Sequence, residues 1–300
     1  MYRESPRPQA EIIARREAAF TLVELLVVIG IIGMLVALLL PAVMSSQAQA
    51  HQVQCAKQMK DLAAAHLMYA MKKGRFAGWR DDWPAPGPGN VGWVPQIMPY
   101  LDMQQRYRDY RADGNDDEPI PILICPSNPP ESETSQVMGY AVNAGKPDDG
   151  GVEPNTNSTI ENVPPDNRWT ALFHDRAGGG GVALGLDDVL DGKRQTLLLS
   201  ESALLGTWTA ANSEKDQGIL MDNGSTELND VGNSGAALPN SFHQEGFNVA
   251  YVDGHTEFFF VDGTEEDATS DRHPYNIYWM KMTPAGAYNK IEINGLTEGQ

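Results

Sequence analysis

Positive charge is in short supply in this 300-residue chain: 22 Lys and Arg stand against 40 Asp and Glu, a formal net charge of −18. Nucleic-acid binding rests on neutralising phosphates, so no nucleic-acid partner is expected. Cysteine is scarcer still, with only Cys55 and Cys125. No CxxC and no Cys/His spacing accompanies them, which argues against zinc-ligand patterns, and no metal is expected on that ground. Two readings of the pair stay open: a disulfide, allowed outside the cytoplasm, or two buried thiols. A phosphate loop is missing too, because the glycine run at 178–181 lacks the Lys and Ser/Thr that such a loop needs. Polar side chains, finally, are absent from Leu25 to Leu40.

That last absence organises the chain. The run Phe20 to Met44, FTLVELLVVIGIIGMLVALLLPAVM, holds one charge, Glu24. At about 1.5 Å per residue such a run is long enough to cross a hydrocarbon core of about 30 Å. Upstream, Arg3, Arg7, Arg15 and Arg16 outnumber Glu4, Glu11 and Glu17, which favours an N-terminus that stays in the cytoplasm. Three readings compete. The run is an ordinary signal anchor, or a secretory signal with Ala48-Gln49-Ala50 as a small-x-small cleavage site. In the third, Glu24 has a partner, because a carboxylate inside a membrane helix is costly alone. A chain cut before Phe20 would offer that partner as the α-amine of a neighbouring subunit.

Beyond Pro41 the polarity rises while the helical pattern continues. Ala48, Gln52, Cys55, Met59, Leu62, His66 and Tyr69 alternate at spacings of four and three, one face of a helix. Lys72 and Lys73 give a basic last turn and Gly74 a stop. The reading is one bent helix over Phe20 to Lys73. His66 is expected to be a bonded histidine at a sheet edge.

Residues 75–96 read as loop, with Trp79, Trp83 and Trp93 pinning it down rather than forming a carbohydrate platform. Ile97 to Tyr110 reads as a short helix, Ile120 to Ile124 and Gly139 to Gly145 as short strands, and 146–168 as a surface excursion. Gln195 to Ser200 is predicted as a strand that Glu201 ends, where it caps or bridges; 210–240 reads as a polar insertion. Phe247 to Val252 and His255 to Val261 flank Asp253-Gly254, the dipeptide of a two-residue type I′ hairpin turn. A further strand is expected within 275–294. His243 and a carboxylate could form an acid–base pair, but no nucleophile stands beside them in sequence. The expectation is structural: His243 bonding backbone at the hairpin base, Asp253 serving the turn, and no catalytic residue.

Two sets of residues carry a resemblance. Ala19-Phe-Thr-Leu-Val-Glu-Leu-Leu is similar to the class III signal of type IV pilins and type II secretion pseudopilins. In that family the cut precedes the Phe, the new terminus is methylated, and a Glu stands fifth, as Glu24 would after a cut between Ala19 and Phe20. Pro41 falls where those proteins often bend the helix. Ala19 departs from the family's Gly. His243, nine residues, then Asp253-Gly254 resembles the H-x9-DG signature of prepilin-type proteins of unknown function abundant in planctomycetes. Val53 to Leu62, Cys125-Pro-Ser, Tyr140 to Gly145, and Asp191-Gly192 with Thr196 and Glu201 resemble further segments of that family.

The resemblance implies an α+β, pilin-like fold: a long N-terminal helix packed on an antiparallel β-sheet with long loop insertions. The organisation would be a cytoplasmic leader (1–19), a transmembrane prepilin-type helix (20–44), an amphipathic continuation (45–74) and an extracytoplasmic β-rich domain (75–300). It implies a single-pass inner-membrane protein, a prepilin peptidase/methylase acting at Phe20, and other pilin-like subunits as partners. The function implied is a non-enzymatic subunit of an envelope filament or type II secretion-like machinery. The alternative is a tethered binding protein or hydrolase that uses the helix as an anchor. No cofactor is expected; some pseudopilins hold Ca²⁺ in an acidic loop, but Asp113 to Glu118 lacks the ordered offsets of an EF-hand.

Overall fold

A computed structural model describes residues 21–83, 88–116, 118–130, 136–145, 171–179, 182–203, 205–209, 211, 217–220, 228, 238–243 and 245–261. Ala19, Phe20, the excursion at 146–168 and the strand expected within 275–294 lie outside the described residues. The chain forms two compact units, Met1–Gln47 and Ala48–Gln300.

The first helix, α1, spans Leu22–Lys73 and runs through Pro41 without interruption. Its start has a cause that the sequence reading did not name. Glu24 N–H donates to Thr21 Oγ1 (3.2 Å), and Thr21 N–H donates to Glu24 Oε2 (2.9 Å). These reciprocal bonds make a capping box that satisfies two N–H groups left over at a helix start. At the far end, Gly74 takes a positive φ of 69°, the left-handed stop that glycine adopts without a Cβ penalty.

In the second unit the predicted stripe is buried from Cys55 onward, while Ala48 is exposed and Gln52 half-buried. Cys55, Met59, Leu62, Ala63, Ala65, His66, Tyr69 and Ala70 turn inward. They meet a five-stranded sheet built from β3 (Tyr140–Gly145), β4 (Leu197–Glu201), β5 (Gly218–Leu220), β6 (Gly246–Tyr251) and β7 (Thr256–Phe260), in the order β5-β3-β4-β6-β7. Strand alternation divides its residues between two apolar clusters. Tyr140, Val142, Leu198 and Ala250 join the helix residues, whereas Ala141, Leu197, Phe247, Val249 and Tyr251 pack with Ile219, Leu228 and Leu238. The insertion expected at 210–240 therefore contributes a strand and part of a core. Each large apolar side chain so buried stabilises the fold by about 1.5–3 kcal/mol.

Several expectations need correction. The sheet is not wholly antiparallel, because β5 pairs parallel with β3. The segment 75–96 carries a two-stranded ribbon, β1 (Arg80–Asp82) with β2 (Asn90–Gly92), and it leads into α2 (Trp93–Ile97). Trp79 and Trp93 are buried, which is how this irregular stretch is held to the domain. The helix expected over Ile97 to Tyr110 is split: a 3₁₀ turn at Met98–Tyr100, a positive φ of 58° at Asp102, then α3 (Gln104–Asp113). Ile120 to Ile124 is not a strand. Pro121, without an N–H to give a ladder, opens a 3₁₀ turn over Pro121–Leu123 instead.

The hairpin exists, but its turn has three residues. Tyr251 pairs with His255 (N–H to O, 3.0 Å), and Gly254 N–H donates to Tyr251 O (2.9 Å). Only Gly254 has a positive φ, 85°, so this is a type I turn followed by a glycine bulge rather than a type I′ turn. The hairpin tip is tied to the Asp191-Gly192 turn, with Val252 N–H donating to Thr196 O and Asp253 N–H to Lys193 O, each at 3.0 Å.

Candidate functional site

The disulfide question has an answer: Cys55 and Cys125 are bonded, with their Cα atoms 5.5 Å apart. Cys55 comes from α1 and Cys125 from the segment after the 3₁₀ turn. Gly139 fixes the second of these. Its N–H donates to Leu123 O (2.7 Å) and its carbonyl accepts from Ser202 N–H (3.1 Å). A Cβ on Gly139 would sit 3.2 Å from Cys125 Cβ, so the approach is close.

Two ionisable side chains converge on this disulfide. Glu201, the last residue of the central strand β4, is 1% exposed, and His243, in the turn before β6, is 7% exposed. His243 Nε2 lies 3.2 Å from Glu201 Oε1 and 3.6 Å from Cys125 Sγ, while Nδ1 lies 3.3 Å from Ser127 Oγ. Glu201 is held from β6: Asn248 N–H donates to Oε2 (2.7 Å) and Asn248 Nδ2 to Oε1 (3.0 Å). These bonds offset the cost of a carboxyl group at this depth. Tyr140, beside the site, has its hydroxyl pushed above the ordinary range, by burial first and by Glu201 second. A surface pocket of roughly 460 Å³ shares Asn248 and Phe258 with this neighbourhood, Phe258 being the ring against His243.

The site corrects one assignment and sharpens another. The His243 ring bonds side chains, not backbone; the backbone tie belongs to its own N–H, which donates to Ser241 Oγ (3.0 Å). Glu201 does bridge, from β4 to β6 and to the His243 turn. Asp253 belongs elsewhere: its Oδ1 accepts from His255 N–H (3.0 Å) at the hairpin turn, and Oδ2 lies 3.7 Å from Arg194. Burial acts against the Asp253 charge, but His255 and Arg194 outweigh it and hold the carboxyl below its usual range. Ser127 was missed. It stands two residues after Cys125, and nothing in one sequence shows that this turn meets His243.

Other candidates sort plainly. His66 is buried between the Trp93 and Phe173 rings, with centroids 5.1 Å away in each case. Neither ring nitrogen has a partner among the described residues, so the bonded histidine expected at a sheet edge is not there. Burial lowers its pKa from 6.5 to about 3, and the ring is neutral. In the acidic turn considered for Ca²⁺, Asp116 is engaged by Arg106, whose Nη2 donates to Oδ1 at 2.8 Å.

In chemical terms, the site sets an imidazole and a carboxyl group against a disulfide, with a hydroxyl on the far ring nitrogen. The apolar half of α1 offers a different surface. It has an 18-residue window of mean hydropathy 2.9, long and apolar enough to cross a membrane, and Glu24 lies in its first turn. The fold and this helix define a pilin-like protein, and residues 14–40 match the prokaryotic N-terminal methylation motif. Residues 45–266 match the family described as "Protein of unknown function (DUF1559)", and the chain belongs to that family. No curated protein and no solved structure matches it.

Proposed function

We propose that this chain is a non-enzymatic subunit of an envelope filament or type II secretion-like machinery, assembled through the apolar half of α1. The observation that carries the reading is the methylation motif at 14–40, continuous with a run of exposed apolar side chains that contains one carboxylate. Such a helix needs lipid or other helices around it. A prepilin peptidase would cut before Phe20 and leave an α-amine for Glu24 of a neighbouring subunit. The chain would stand in the inner membrane with its N-terminus in the cytoplasm until it assembles.

Two measurements test this. Mass spectrometry of the mature N-terminus should find N-methyl-Phe20; a chain that begins at His51 or remains at Met1 overturns the reading. The capping box then makes Glu24→Gln the informative variant, because Gln keeps the cap and loses the charge. Cross-linking between subunits should vanish in both Glu24→Gln and Glu24→Ala. Loss in Glu24→Ala alone would assign Glu24 to capping and end the charge-pairing model.

The second reading, a tethered hydrolase, draws on the run Ser127–His243–Glu201, which has the composition of a hydrolytic triad. Its ring is turned so that the serine faces Nδ1 and the carboxyl Nε2, while Cys125 Sγ crowds Nε2. A hydrolase would lose turnover of an ester probe on Ser127→Ala with its stability unchanged. A subunit without enzymatic activity turns over no probe in either form.

A further inference from the structure

The Sγ, Sγ, Nε2 and carboxylate oxygen of Cys55, Cys125, His243 and Glu201 all lie within 4.8 Å of one another, and all four residues are buried. We propose that this cluster has two states: the disulfide, and on reduction a tetrahedral site for a borderline-soft divalent cation such as Zn²⁺. The donor set is the one such an ion selects, two thiolates, an imidazole and a carboxylate.

The geometry is close to what the ion requires. With Zn–S near 2.3 Å and Zn–N near 2.0–2.1 Å, tetrahedral ligands stand about 3.5 Å apart for S and N and about 3.3 Å for N and O. The observed separations are 3.6 Å for Cys125 Sγ to His243 Nε2 and 3.2 Å for Nε2 to Glu201 Oε1. The sulfurs must part to about 3.8 Å, and the remaining separations, none above 4.8 Å, must close by about an ångström at most. The surroundings fit as well. Metal-bound imidazoles donate their other N–H to a neighbouring oxygen, and Ser127 Oγ stands at His243 Nδ1. Asn248 fixes the carboxylate from its backbone and its side chain. A surface pocket lined by Asn248 and Phe258 lies on the side of Glu201 and His243.

The conversion balances with a dithiol as reductant. The Cys55–Cys125 bond breaks, the dithiol closes to its own disulfide, and two protons pass to the cysteine sulfurs. Zn²⁺ then displaces those two protons to solvent and binds two thiolates. Oxidation by a disulfide of higher potential re-forms the Cys55–Cys125 bond and releases the ion, the oxidant leaving as two thiols that take two protons from solvent.

The test uses the full chain in detergent micelles, reduced by a dithiol in denaturant, refolded and freed of reductant without air. An aliquot alkylated in denaturant must gain two adducts before titration begins. Co²⁺ is the probe, because thiolate ligation gives charge-transfer bands and a tetrahedral field gives visible bands. The expected result is saturation at one Co²⁺ per reduced chain, displacement by Zn²⁺, and no bands from the oxidised chain. His243→Ala and Glu201→Gln should each weaken binding at least about tenfold, the scale of losing even a supporting group. A reduced chain without thiolate bands, folded or not, overturns the proposal. So does a chain whose bands are unchanged in both variants.

Discussion

One helix of 52 residues contains two regions that obey different rules. From Leu22 to Met44 its apolar side chains point in every direction, and all of them are exposed. From Cys55 to Ala70 most apolar residues keep to one face and are buried, while Lys57, Lys60, Asp61 and the exposed Met68 take the other. The difference shows that hydrophobicity and core membership are separate properties. An apolar residue belongs to its own chain's core when the pattern has a face, because only then does the remaining surface suit water. Where the pattern has no face, the residue is matched to another medium.

Four perturbations probe that contrast. The largest expected effect is loss of the disulfide: closing a 70-residue separation stabilises the fold by about 4 kcal/mol on the chain-entropy account. Denaturant unfolding of Cys55→Ser should show that loss, and a change below about 1 kcal/mol would mean that the cross-link constrains little in the unfolded chain. Next come matched truncations. Leu62→Ala, in the buried half, should cost about 3 kcal/mol, and Ile32→Ala, in the exposed half, should leave unfolding of the second unit where it was. Equal effects would erase the distinction.

The third effect depends on pH. His66 has a folded pKa of about 3, below its ordinary 6.5, so the unfolded chain binds the proton more readily. Stability from keeping this ring neutral is complete above about pH 6.5 and falls as pH drops toward 3, by about 1.4 kcal/mol per unit. Between pH 7 and pH 5 the native chain should lose about 2 kcal/mol more than His66→Phe, by denaturant unfolding at each pH. Equal slopes would mean that the ring is reached by water. The smallest effect is at the hairpin: Gly254→Ala, at a φ of 85°, should cost about 1 kcal/mol.

What could be read from residues alone follows the range of the interactions. The helix stripe was legible because spacings of three and four are local. The Phe247 to Val261 hairpin was legible because its strands are neighbours in sequence, although its turn type was not: Asp-Gly suits both turns, and Val252 became the extra turn residue. The proline pair around Ile120 masked a 3₁₀ turn as a strand, since a short apolar run has no periodicity to judge. The site was the least legible. Cys125 and His243 are 118 residues apart, and Glu201 and His243 are 42 apart. They meet because β4 lies between β3 and β6, an order that no local pattern encodes. The residues themselves stood out for separate reasons, the cysteines by their scarcity, Glu201 as the end of an apolar strand and His243 through resemblance; that they form one cluster required the sheet.

The cross-link between Cys55 and Cys125 also determines how this chain answers a pull. A subunit drawn by its N-terminal helix feels tension along α1, and residue 55 is where that tension first meets a covalent branch. The tension then passes through sulfur to residue 125, and the chain between the two cysteines stays slack. At about 3.4 Å per residue, those 70 positions hide about 240 Å of contour that cannot be paid out while the bond is closed. Tyr69, Trp79, Trp93 and Tyr110 all lie in that sheltered segment, so much of the aromatic core is relieved of tension by a single bond.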